Sequence, residues 1–489
     1  MKKVLALLCI CALMAGMLAA CGTTAPAPAA PAAEEPAPAQ SVEAEAPAAA
    51  EEPAAPAVRS ADDPVSVTGG LITGVLSEDG QTVIYKGVPF AAPPVGELRW
   101  KAPQPVEPWE GVRACDTFSA ICPQSTFAYG DFQPEFYSDP YPTMSEDCLY
   151  LNIWTPVKVS DELLPVMVYI HGGGNGSGWS YEKEFDGEIM AQKDCILVTI
   201  NYRLGVFGFF AHEDLAAEAN GAAGNYGLMD QQAAFAWVNE NIKAFGGDPD
   251  RVTMFGQSAG AMDMTALVCA PSMEGLVDRA LFQSGGFLNV ITTTSMAEAE
   301  AEGAKLTEAL GKSVAELREM GDMDLYNAVA DSGLSYSGFC VDGSFLPEDL
   351  NAVISEGRYL DIDYMIGSNS DEFGGMFASG VTLLGDKQIE TGRKPAYCYL
   401  FTHFIPGIDD PSSTCYGAFH TGECWYIFNT LERCWRLPLF TEADYKLADM
   451  MSTYWTNFAR TGDPNGEGVP EWAPYTAENK NIQVLDVTE

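Results

Sequence analysis

One Gly-x-Ser-x-Gly pentapeptide stands out, Gly256-Gln257-Ser258-Ala259-Gly260, between the apolar run Arg251-Val-Thr-Met-Phe255 and a helical stretch from Met262 to Cys269. A serine at a tight strand-to-helix corner has its hydroxyl exposed for attack on a carbonyl, and glycines let the neighbouring backbone pass without a Cβ clash. The second signal is His171-Gly172-Gly173-Gly174, directly after the run Pro165-Val-Met-Val-Tyr-Ile170. Successive glycine amides can point at one spot, which suits a developing oxyanion. Alone, the first pattern also reads as a glycine-rich packing corner and the second as a flexible turn. Together they point to acyl transfer by an activated serine.

Such a serine needs a base and an acid to orient that base. The chain has four histidines. If the order is serine, acid, histidine, His171 and His212 come too early, and His403 and His420 remain. His403 follows a β-like run over Tyr397 to Phe401, where a strand-end polar residue is the plain reading. His420 sits in a glycine-flanked loop, Gly417 to Gly422, and is the favoured base. For the acid, the segment Ile366 to Gly374 offers the adjacent carboxylates Asp371 and Glu372. Spacing does not choose between them.

The elements that must hold these residues are legible as strands and helices. Short strand-like runs at Leu71 to Leu76 and Thr82 to Phe90 come first. Nearly continuous apolar runs follow at 165–170, 195–200 and 251–255, the pattern of central strands covered on both faces. Between the last two, Ala233, Ala234, Trp237, Val238 and Ile242 recur at helical spacing within Leu228 to Lys243, and Asp248-Pro249-Asp250 reads as a closing turn. This alternation predicts one large α/β domain over 65–489, with a mostly parallel central sheet, helices on both faces and a small N-terminal antiparallel sheet.

A different kind of chain precedes it. Residues 1–20 have two lysines and then an apolar run ending in small residues, the pattern of a secretory leader. Residues 22–64 contain 17 Ala, 9 Pro and 6 Glu, so 21–64 reads as a Pro/Ala-stiffened linker without a core of its own. The net charge of −42, from 26 Lys+Arg against 68 Asp+Glu, argues against a nucleic-acid partner. Of 13 cysteines, ten lie beyond Cys21, an even number compatible with disulfides in an oxidising compartment. No CxxC pair or His/Cys cluster has metal spacing, and the reading calls for no cofactor.

These residues resemble the type-B carboxylesterase family, which includes bacterial para-nitrobenzyl esterases and the cholinesterases. The resemblance is carried by Lys86-Gly-Val-Pro-Phe-Ala-Ala-Pro-Pro94, Ser145-Glu-Asp-Cys-Leu-Tyr-Leu-Asn152, Asn201-Tyr-Arg-Leu-Gly205 and Gly224-Asn-Tyr-Gly-Leu-Met-Asp-Gln231. Phe245-Gly-Gly-Asp-Pro-Asp250, Gln283-Ser-Gly285 and the stretch from Tyr454 to Asn465 extend it. It implies an α/β-hydrolase fold and hydrolysis of a small-molecule ester, with Ser258 as nucleophile, Glu372 as acid and His420 as base. It implies an oxyanion hole from the amides of Gly173, Gly174 and Ala259. It also implies a disulfide between Cys122 and Cys148, and structural ion pairs Arg99–Glu146 and Arg203–Asp230. An amide or carbamate hydrolase would share this machinery. A non-catalytic, cholinesterase-like surface binding protein would keep the fold while losing triad members, and here all three are present.

At the N-terminus, Leu18-Ala19-Ala20-Cys21 resembles the bacterial lipobox. That resemblance implies cleavage before Cys21, lipidation of it, and an exported enzyme tethered to a membrane by lipid. Three departures from the family accompany these matches. Gln257 replaces the usual Glu before the serine, at a position that need not touch substrate. Asn175 stands where an aromatic often follows the glycines, at the expected mouth of the gorge. Only 48 positions separate Glu372 from His420, and Gly380 to Gly385 is expected to bridge almost directly to Lys387 and the next strand, as after an internal deletion.

Overall fold

The computed structural model describes residues 58–126, 130–138, 140–287 and 293–487. The leader, Cys21 and the linker up to residue 57 lie outside the described residues. The strands, in chain order, are β1 (Val65–Val67), β2 (Gly70–Thr73), β3 (Val75–Leu76), β4 (Thr82–Pro89), β5 (Val112–Ala114), β6 (Tyr150–Pro156), β7 (Leu164–Ile170) and β8 (Ile196–Ile200). They continue with β9 (Gly247–Gln257), β10 (Arg279–Gln283), β11 (Thr294–Ser295), β12 (Cys340–Val341), β13 (Asp363–Asn369), β14 (Tyr397–Phe401) and β15 (Gln483–Leu485).

Ten of these form one sheet in the order β15-β14-β13-β10-β9-β7-β8-β6-β4-β3. From β15 to β8 every neighbouring pair is parallel, while β6, β4 and β3 close the other end through antiparallel pairs. The small N-terminal sheet is β1-β2-β5, antiparallel between β1 and β2 and parallel between β2 and β5.

Alternation along β7 shows why the run is apolar throughout. Val166, Val168 and Ile170 enter one core with Ala234, Trp237 and Val238 of the helix Tyr226–Asn241. Met167 and Tyr169 enter the other core with Tyr454, Trp455 and Phe458 of the helix Glu442–Thr461. A strand buried on both faces has no polar side to show in its sequence.

Three expectations change on folding. Asp248-Pro249-Asp250 lies within β9, where pairing with β7 jumps from Leu164↔Gly247 to Val166↔Val252. The extra residues on β9 are taken up as an irregularity, so the turn residues punctuate the strand without ending it. The linker ends earlier than residue 64. Val58 forms a bridge with Lys158, the Arg59 amide donates to Val157 O (2.7 Å), and Ala61 is buried. Finally, Gly380 to Gly385 is helical, inside the helix Ala378–Thr391 that buries Val381, Leu384 and Gln388. Its one-turn apolar spacing outweighs the helix-breaking tendency of its glycines.

The structure keeps Cys122 and Cys148 as two buried thiols in contact, unbonded. The hydrogen bond that the Cys148 thiol donates to Cys122, together with burial, raises that thiol well above its ordinary value. Both expected ion pairs are formed in the interior. Arg99 Nε donates to Glu146 Oε1 at 2.7 Å, and its other nitrogens reach the carbonyls of Leu317 and Met320. Arg203 grips Asp230 through Nε and Nη2, each at 2.7 Å, and its own amide donates to the same carboxylate at 3.1 Å. Breaking a buried pair leaves the partner's charge uncompensated. Asp230→Ala is therefore expected to destabilise the fold by about 3–5 kcal/mol in denaturant titration.

Candidate active site

The register of the sheet brings the two glycine patterns together. Ile170, the last residue of β7, is paired with Gly256 on β9, so the loops leaving these strands emerge side by side. A Cβ on Gly256 would lie 2.7 Å from Ile170 O, and one on Gly260 only 2.2 Å from it. Both glycines of the pentapeptide are thus required by one carbonyl of the neighbouring strand. Between them Ser258 takes φ 57° and ψ −124°, a backbone conformation that costs a non-glycine residue free energy and persists because its surroundings enforce it. Its amide is tied to Gln283 O of β10 (2.9 Å), and the helix Ala259–Cys269 begins immediately after it.

Beyond β13 and β14 come the partners. His420 Nε2 is 2.8 Å from Ser258 Oγ, and His420 Nδ1 is 2.7 Å from Glu372 Oε2. Glu372 is buried, and its other oxygen accepts the Asn369 amide at 2.8 Å. Asp371, which spacing alone could not separate from Glu372, is exposed and accepts the Ala418 amide (3.0 Å). One residue of offset at the strand end turns one carboxylate inward and the other out. The His420 ring is packed between Phe377, stacked at 4.9 Å, and Phe373, edge-on at 4.9 Å.

Each remaining histidine has another task. His403 lies between Asp444 (2.8 Å) and Asp486 (3.3 Å), where it ties the C-terminal helix to the sheet. His212 caps the helix Glu213–Glu218. His171 stacks on Tyr202, and burial pushes its pKa down to about 4, so it stays neutral beside the glycine loop.

A cavity of about 350 Å³ is lined by Gly172, Gly173, Gly174, Ser258 and His420. Gln257, at a position that need not touch substrate, lines it too, with its amide nitrogen 3.3 Å from His420 Nε2. Asn175, expected at the mouth, is instead buried: Nδ2 donates to Asp263 (2.8 Å), and Oδ1 accepts from the Tyr202 hydroxyl (3.2 Å). Its φ of 56° is one that asparagine tolerates better than an aromatic does.

Reading along the chain missed three buried carboxyls near the site. Burial pushes Asp263 up to about 7, Glu423 up to about 7 beside Glu372, and Glu182 up to about 8. None lies in a motif with a charge partner, so only the packing reveals them.

A strained serine after a parallel strand, in contact through histidine with a buried glutamate and beside a glycine loop, is the geometry of an α/β-hydrolase. The profile of the carboxylesterase family matches residues 61–383 and 376–489, and the chain belongs to that family, an ester hydrolase of the type-B group. The two matched stretches overlap over residues 376–383, at the start of the helix Ala378–Thr391. The chain is 34% identical to fumonisin B1 esterase of Sphingopyxis macrogoltabida over 84% of its length and 85% of that protein. It is also 34% identical to para-nitrobenzyl esterase of Bacillus subtilis (strain 168), over 82% and 91%. Among solved structures, a PNB esterase superposes with TM-score 0.76 at 29% identity, covering 87% of this chain and 96% of that one.

The three raised carboxyls have a consequence for stability. In the unfolded chain they titrate near about 4, so from there to about 8 the folded state holds more protons than the unfolded one. Stability is therefore lost as pH rises through their folded values. The midpoint of thermal unfolding is expected to fall between pH of about 6 and about 8.5, and Asp263→Asn should flatten that slope. A midpoint that stays level or rises contradicts the assignment.

Proposed function

We propose that Ser258, His420 and Glu372 form the catalytic triad of this ester hydrolase. The observation that carries the reading is the unbroken chain of short contacts from Glu372 through His420 to Ser258 Oγ. In this reading His420 Nε2 takes the serine proton as Oγ attacks the ester carbonyl, and Glu372 holds Nδ1–H and balances the imidazolium charge. The tetrahedral oxyanion lies toward the amides of Gly173, Gly174 and Ala259. Ala259 supports this role as the first residue of its helix, where amides have no intrahelical partner. His420 then returns the proton to the leaving alkoxide, and water resolves the acyl-enzyme by the same route.

The wall of the cavity suggests a use for the two adjacent thiols. Phe132, Phe136 and Tyr137 line it from the segment between Cys122 and Cys148, so oxidation of the pair in an exported protein would tether that wall. The leader and the Cys21 lipobox support export and anchoring by lipid, with the hydrolase on the outer face of a bacterial membrane. On this view Cys21→Ser moves the protein from the membrane fraction to the soluble one, as read by fractionation.

A fluorophosphonate should label the protein, and Ser258→Ala should abolish both labelling and hydrolysis of short nitrophenyl esters; retained activity refutes the nucleophile. Glu372→Gln is expected to lower kcat by roughly 10³–10⁴ through the wrong histidine tautomer. Asp371→Asn should stay within about threefold, as expected for a surface substitution away from the chemistry.

A further inference from the structure

The glycine loop has little of its own to hold it in place. Gly173, Gly174 and Gly176 are exposed, and a Cβ placed on Gly174 would meet nothing within 4 Å. Between Gly172 and Ser177 the one buried residue is Asn175, 3% exposed. Its carbonyl accepts the Gly205 amide at 2.7 Å. In its side chain, Oδ1 accepts from the Tyr202 hydroxyl at 3.2 Å, and Nδ2 donates to Asp263 Oδ1 at 2.8 Å.

Asp263 is fully buried, one turn into the helix Ala259–Cys269 that starts behind Ser258. Its second oxygen accepts Gln231 Nε2 from the helix Tyr226–Asn241. A hydrogen bond to a carboxylate is about twice as strong as one between neutral groups, so the bond to Asp263 is the firmest hold on the Asn175 side chain. Burial pushes Asp263 up to about 7, and both of its forms are present near neutral pH. In the protonated form the acid proton can face Gln231, whose partnerless Oε1 can turn to accept it. Asn175 keeps its acceptor either way. The aromatic side chain that often stands at position 175 in the family has no amide to offer a carboxylate, so this tie belongs to the present chain.

We propose that Asp263 is a positioning residue that acts through Asn175, setting the Gly173 and Gly174 amides where the oxyanion forms. It does not touch substrate. The three amides of the hole come from two segments, the loop and the first residue of the Asp263 helix, and the Asp263–Asn175 bond joins one to the other. Removing the bond should therefore cost transition-state binding and spare ground-state binding. The proposal rests on the reading of Ser258 as nucleophile and of these amides as the oxyanion hole.

The test uses a phenylalkyl trifluoromethyl ketone and the carbinol of the same skeleton. Ser258 Oγ adds to the ketone carbon, its proton passes to His420 Nε2, and the carbonyl oxygen becomes an oxyanion in the hole. The carbinol has nearly the same shape and forms no adduct. Affinities and rates are referred to the concentration of serine that a fluorophosphonate labels at completion, which removes misfolded protein from the comparison. Asp263→Ala and Asn175→Gly, the latter keeping the positive φ at 175, are each expected to weaken ketone binding by on the order of 10- to 100-fold. The loss in kcat/KM for a short nitrophenyl ester should match it, while carbinol binding stays within about threefold. The double variant should lose no more than the worse single variant, because the two side chains act as one unit. Asp263→Asn, which still offers Asn175 an acceptor, should restore ketone binding and turnover to within about threefold of wild type.

The proposal is overturned if ketone and carbinol weaken equally, if the losses multiply in the double variant, or if Asp263→Asn is no better than Asp263→Ala. Unchanged ketone binding in Asp263→Ala overturns it as well. Should Asp263→Ala fail to fold, Asn175→Gly decides by the same split between ketone and carbinol. A wild type that binds the ketone no tighter than the carbinol refutes the oxyanion hole, and one that is neither labelled nor active refutes the nucleophile; either result takes this inference with it.

Discussion

The site depends on the pairing of β7 with β9 at the centre of the sheet. The Ile170↔Gly256 register sets the glycine loop beside the serine turn, and Ile170 O occupies the space that side chains at 256 and 260 would need. Loosening this contact would displace Ser258 and the glycine loop together. Two cores, one on each face of the sheet, hold the pair in place. The strain at Ser258 is sustained by that packing together with the tie from its amide to Gln283 O.

From this pair outward, the remaining parts are placed by the ends of neighbouring parallel strands. β10 anchors the serine amide, β13 delivers Glu372, and the long connection after β14 carries His420 back over the site. All of these strands point the same way, so their C-terminal loops converge on one edge of the sheet, where α/β proteins place their ligands. The helix Ala378–Thr391 follows Phe377, which packs flat against His420 with Phe373 edge-on to the same ring.

Electrostatically, the interior is unusual in how many carboxyls it keeps. Glu146, Asp230 and Glu135 are paired with arginines, and Glu372 with the histidine. Asp263, Glu423 and the Glu182–Glu184 pair lack such cations, and burial shifts them toward the protonated form. One of them, Asp263, joins the helix Ala259–Cys269 to Asn175 beside the glycine loop. Asn175 is therefore part of the support beneath the loop.

Local pattern was enough for what local chemistry dictates. The apolar runs marked β7, β8 and β9, and Ser258 and the glycine loop were legible because a tight turn and a closely packed glycine loop tolerate few residue types. Chain order narrowed the base to His403 or His420. Which carboxylate, Asp371 or Glu372, faces that base depends on how a strand end turns within the packed sheet, and no spacing rule contains that information. The same holds for Gln257 over the imidazole, Asn175 in the interior and Glu182 in the cavity. A side chain's neighbours across the fold are separated from it by tens or hundreds of residues. Burial, and with it the protonation state, is a property of those neighbours and is decided only by the tertiary structure.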